Sequence, residues 1–165
     1  MKKILIVMMA ALLVMALAAC AVQPAAGESA QIANPWTAAA DAEEVKEKTG
    51  LTMSALPEGA ADVSYSVMES EKIAQAAFTW NGDEYTFRMA PDGATEDLSG
   101  MYVEFKTDED MLFGDYPYEI KYNEGAEGLA EWDDELTKTE YSVTMQTGAT
   151  KEKLAAVSEA LIPAG

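Results

Sequence analysis

The side chains of this 165-residue sequence with chemistry to offer are 29 carboxylates, one arginine, three tryptophans and one cysteine; histidine is absent. Without histidine there is no Ser-His-Asp triad, no Cys-His pair and no His-ligated zinc. One cysteine closes no intramolecular disulfide and makes no CxxC site. Eleven Lys and Arg against 29 acids give a net charge of −18, which repels phosphate backbones and argues against a nucleic-acid partner. What remains is carboxylate chemistry, and no motif frames it. Asp92 to Asp97 lacks the Asp-x-Asp-x-Asp-Gly spacing of an EF-hand loop. Asp108-Glu109-Asp110 and Asp133-Asp134-Glu135 are contiguous, so their side chains diverge in extended chain. They read as solvated turns, with weak Ca²⁺ binding as the alternative. A glycosidase needs two carboxylates about 5–9.5 Å apart in a cleft, and the sequence singles out no such pair. No catalytic residue, metal-ligand set or cofactor is assigned.

Three other residues are candidates for ligand binding. Arg88 is the sole arginine and falls, by parity, on the polar face of a strand beside Glu84 and Thr86. It reads either as an anion clamp or, with so many acids nearby, as half of a salt bridge to Asp97 or Glu104. Trp132 and Trp80 read either as a stacking surface for a sugar or apolar ligand or as core packing. Trp132 is the stronger ligand candidate because it adjoins a polar turn. Tyr116, Tyr118 and Tyr122 share a face that reads as the inner side of a sheet, with a lipid or glycan groove as the alternative.

The cysteine has the most specific surroundings. Lys2 and Lys3 precede 19 consecutive apolar residues, Ile4 to Val22, the layout of an export signal. Within it, Leu17-Ala18-Ala19-Cys20 resembles a bacterial lipobox. That resemblance implies a diacylglyceryl thioether on Cys20 and cleavage after Ala19. The small side chains of Ala18 and Ala19 admit a peptidase. Each buried lipid methylene adds about 0.8 kcal/mol, and two chains anchor stably where one is marginal. The alternative is an uncleaved membrane helix with Cys20 packed inside it. Cleavage divides the chain into a signal peptide at 1–19, a lipidated Cys20 with a tether at 20–33, and one domain at 34–165. The exported part carries 9 basic and 29 acidic side chains.

The elements that would position these groups follow from periodicity. Thr37 reads as an N-cap, Asp41, Glu43 and Glu44 precede Lys46 and Lys48, and Gly50 suits a C′ position, so a helix is expected at about 38–48 with Trp36 as its anchor. Beyond residue 62 the period becomes two. Strands are expected around 63–67, 73–80, 85–89, 101–105, 116–122, 129–132 and 141–145. Asn81-Gly82 signals a type I′ hairpin turn. Thr150 caps a last helix at about 151–162, with Leu154, Val157, Leu161 and Ile162 on one stripe. The expected class is α+β: a curved antiparallel meander of six or seven strands, covered by the two terminal helices.

Asn34-Pro35-Trp36 opens a pattern that continues through Phe87-Arg88-Met89-Ala90-Pro91 and Asp97-Leu98-Ser99-Gly100. It ends in Ala130-Glu131-Trp132, an acidic turn, Tyr141-Ser142-Val143 and the last helix. Together these resemble a family of uncharacterised lipoproteins of Gram-positive anaerobes, gut bacteria among them. The pattern is also similar to a domain of unknown function on the outer side of membrane-bound regulators. The resemblance spans most of residues 34–162. It implies an extracytoplasmic fold and carries no catalytic residue. The expectation is a non-enzymatic binding or interaction domain, lipid-anchored on the outer face of the cell membrane, whose ligand the sequence does not name; its negative field favours cationic or neutral partners, a protein or a glycan. A glycan- or apolar-ligand module is the alternative, and a carboxylate-based hydrolase ranks last.

Overall fold

The computed structural model describes residues 34–162; Ala19, Cys20, the tether at 20–33 and the last three residues lie outside them. The described chain runs β1 (Thr37–Ala39), α1 (Ala42–Thr49), β2 (Ala61–Met68), β3 (Ile73–Trp80), β4 (Asp83–Pro91), β5 (Thr107–Phe113), β6 (Tyr116–Tyr122), β7 (Gly128–Asp134), β8 (Thr139–Met145) and α2 (Lys151–Leu161). All neighbouring strands are antiparallel, in the order β1-β2-β3-β4-β8-β7-β6-β5. The α+β class holds. The expected six or seven strands are eight, and the single meander is two four-stranded meanders joined where β4 pairs with β8.

Two local expectations are corrected. Residues 101–105 are irregular, and the fifth strand begins at Thr107, so Asp108-Glu109-Asp110 is strand rather than turn. The cause is topological. From β4 the chain must reach a place four strands away, about 19 Å at the usual spacing. Residues 92–106 make that journey as a strap. Asp97 shapes it by accepting hydrogen bonds from Ser99 Oγ at 2.6 Å and the Gly100 N–H at 3.1 Å. The first helix starts four residues later than expected. Its N-cap is Asp41, which accepts from the N–H groups of Glu43 and Glu44, while Thr37 lies in β1. Gly50 ends it in the left-handed conformation with φ 82°, as expected.

One sheet face carries the core. In register across it lie Ala74, Met89, Tyr141 and Trp132, then Ala76, Phe87, Val143, Ala130 and Ile120. Phe87, Val143 and Ile120 are fully buried. Helix α1 covers this face at β1–β3 through Val45, and α2 covers it at β6–β8 through Leu154, Val157 and Leu161. The strap crosses the opposite face, where Leu98 packs on Ile73 and Ala90 in a second, smaller apolar cluster with Trp36 and Met68. Trp36 therefore anchors the strap side and not the helix.

Candidate functional site

The strap side of the sheet holds one row of polar residues, a single position per strand. In register it reads Ser66, Gln75, Arg88, Ser142, Glu131, Glu119, Asp110. Strand parity forces these side chains onto one face, because successive residues alternate sides. The row divides into two regions of different chemistry.

At Arg88 the region is structural. Its Nε donates to Gln75 Oε1 at 2.8 Å, and its Nη1 donates to the carbonyls of Leu98 at 3.1 Å and Ser99 at 2.7 Å. Its guanidinium lies over the Trp36 ring, 5.1 Å from the centroid. Every hydrogen bond it makes among the described residues is to a neutral oxygen. Neither Asp97 nor Glu104, the partners expected from the sequence, forms an ion pair with it there; Asp97 acts at longer range. Burial pulls the guanidinium below its usual range, and the Asp97 charge opposes that. Arg88 thus pins the strap to β4.

At the other end of the row the sheet opens into a groove of 1120 Å³. It lies where the β5–β6 and β7–β8 hairpins end, with strap residues Thr95, Glu96 and Leu98 on one side. Tyr116, Tyr118, Trp132 and Tyr141 reach its lining from the core side of the sheet, and the last three are buried there. Nine carboxylates line it, from Glu96, Asp110, Asp115, Glu119, Glu131, Asp133, Asp134, Glu135 and Glu140, and no Lys or Arg among the described residues does. Some are already engaged. Lys121 lies against Glu119 and, at 3.8 Å, Glu131. Glu140 accepts from the Gly93 N–H at 2.9 Å, and Asp134 from the Leu136 N–H at 2.8 Å. Glu96, Asp110, Asp115, Asp133 and Glu135 have no ion-pair partner among the described residues. Burial holds the Glu131 carboxyl above its ordinary range despite Lys121, with Asp97, Glu119 and Asp133 adding to the effect. A hydrogen bond shared with Glu119 likewise raises Asp108 at the edge strand.

Trp132 is 4 % exposed and stacks on Tyr141 at 5.3 Å and on Phe87 at 6.0 Å. Its indole N–H is buried without a hydrogen-bond partner among the described residues, as is the hydroxyl of Ser142 in the polar row. A buried donor of this kind costs about 1–3 kcal/mol. Trp80, the other tryptophan candidate, sits elsewhere. It pairs with Asp83, six residues up β4 from the Met89 level that Trp132 shares, or about 20 Å along the strands. Its N–H donates to the Glu58 carbonyl at 3.1 Å, and its ring tilts against Tyr85. Arg88, Trp80 and Trp132 therefore do not form one site.

The tyrosine stripe does face the core, with Tyr118 and Tyr122 buried and hydroxyls at the rim against Glu159 and Glu109. The convergence of acids from β5, β6, β7, β8 and the strap is what sequence reasoning missed. Among the described residues no helix is long and apolar enough to cross a membrane. No three His, Cys, Asp or Glu side chains there are grouped to hold a metal ion. No protein-family model, curated protein or solved structure matches the chain.

Proposed function

We propose that the chain is a lipid-anchored extracytoplasmic binding protein, attached through Cys20, whose ligand is a cation. The carrying observation is the groove: nine carboxylates and, among the described residues, no Lys or Arg line it. Such a surface attracts ammonium and guanidinium groups. It repels anionic polymers and lipids within a screening distance of about 8–10 Å. A sugar-stacking surface needs an open ring face, and Trp132 is 4 % exposed, so the glycan reading has less support. A hydrolase reading has no acid pair singled out by its geometry.

The test has two arms. Thermal shift with a linear polyamine or oligolysine should raise the melting temperature at low salt and lose that effect at high salt, while neutral oligosaccharides leave it unchanged. Stabilisation by a saccharide and not by a polycation would overturn the ligand class. For the anchor, a Cys20→Ala variant should lose lipid and leave the membrane fraction or remain as uncut precursor. A wild-type product without a thioether lipid would remove the attachment.

A further inference from the structure

Two edges bound the open sheet, and they differ. At one, β1 covers only three residues of β2, and the exposed remainder is interrupted by a bulge between Ala61 and Ser64, with Asp62 at φ 52°. Such an edge is poorly shaped for pairing. At the other, β5 is a regular seven-residue strand, paired with β6 on one side and with no strand on the other among the described residues. Its outward main-chain N–H and C=O groups form a ready template for a further strand.

The side chains of β5 select what pairs there. On the strap side Asp108 and Asp110 are exposed at alternate positions, about 7 Å apart, followed by Leu112 at 68 % exposure. On the core side Met111 and Phe113 are half-buried apolar residues, and Glu109 is occupied by Lys151. A second copy of the chain would set these acids against the same acids, a like-charge pairing that is destabilising. The chain's first 33 residues hold only Lys2 and Lys3 as bases, both ahead of Cys20. Charge complementarity leaves a foreign strand with basic residues at every second position and apolar residues between.

We infer that β5 is a strand-addition site for an extended basic segment of a partner protein. The added strand would put its basic side chains beside Asp108 and Asp110 and its apolar ones beside Met111 and Phe113. Asp110 and Met111 also line the groove, so the strand runs along the groove's rim. The inference rests on the cation-binding reading and specifies its partner.

The probe is a nine-residue peptide alternating lysine and valine, titrated by calorimetry into the lipid-free domain. Two versions carry N-methyl groups at alternate main-chain amides in opposite phases. One phase should weaken binding about tenfold or more, and the other should bind within about threefold of the parent, because only every second amide of an added strand faces β5. Asp108→Asn with Asp110→Asn should also weaken binding about tenfold, with the melting temperature confirming that the exposed substitutions leave the fold intact. Equal effects of the two methylation phases overturn strand addition. If oligolysine still binds and Asp133→Asn with Glu135→Gln abolishes it, the groove reading survives that failure. If no cationic probe binds, both fall.

Discussion

Gly100 lies so close to Arg88 that a Cβ on it would sit 2.6 Å from Nη1. Gly100 also has φ +63°, where a side chain is strained whatever the space. The strap therefore depends on a glycine for two independent reasons. Gly100→Ala is expected to cost about 1–3 kcal/mol, measured by urea denaturation. The larger part should disappear in an Arg88→Ala background, since the clash is with the guanidinium. Full additivity of the two losses would show that they do not interact.

Arg88→Ala itself should cost about 2–4 kcal/mol, because it leaves the Leu98 and Ser99 carbonyls without their donor and removes the stack on Trp36. Arg88→Lys should recover little, since an ammonium lacks the planar fork that serves Gln75 and the strap together. The melting temperature and Trp36 fluorescence both report it. A lysine variant with wild-type stability would mean that charge, not fork geometry, holds the strap.

Two other glycines separate strain from crowding. A Cβ at Gly128 would meet the Ala149 Cβ at 2.8 Å and both Leu154 Cδ1 and the Tyr122 Cβ at 2.9 Å, under α2. Gly82 has φ +86° and open space around it. Gly128→Ala is expected to cost about 1–3 kcal/mol by pushing α2 off the sheet, and Gly82→Ala about 1 kcal/mol by strain alone. Leu154→Ala, by making room, should partly rescue Gly128→Ala and leave Gly82→Ala unaffected.

The contrast between these positions explains what was legible in the sequence. The β3–β4 hairpin and α2 were, because Asn81-Gly82 and Thr150 set their ends through local geometry. Strand β5 was not. As an edge strand it shows acids to water, so Asp108-Glu109-Asp110 imitates a turn, whereas Met101, Val103 and Phe105 alternate like a strand while belonging to the strap. The groove was invisible for the same reason. Its acids are plain in the sequence, but their meeting depends on β5 lying four strands from β4, a long-range fact without a local signal. Trp132 was singled out for its neighbouring turn; it does line the groove, though from within a stack of buried rings.

Buried tyrosines give an alkaline signature. Burial pushes Tyr85 and Tyr118 up to about 12, with the Asp83 and Glu159 charges adding to it. A phenol near 10 in the unfolded chain then loses its proton before the folded one does. Their contribution is complete below pH 10 and declines as pH rises from about 10 to 12. Denaturation midpoints should fall across that window, and less steeply in Tyr118→Phe. A flat profile would mean that these hydroxyls reach water.

Glu131 acts in the opposite part of the scale. Its carboxyl is held above the ordinary range mainly by burial, so ionising it at neutral pH costs stability. That cost is absent below its unfolded value near 4.5 and grows as pH rises through the folded value. Glu131→Gln should therefore raise the melting temperature at pH 7 and give no gain at pH 4. A bound cation relieves the same cost by neutralising the groove, so wild type should gain more from oligolysine than Glu131→Gln does at pH 7. Lys121 loses one neighbour in the variant but keeps Glu119, so its own pairing persists. If Glu131→Gln melts lower than wild type at pH 7, the Lys121 attraction outweighs burial. The groove would then hold its carboxylates through internal pairing rather than in readiness for a ligand.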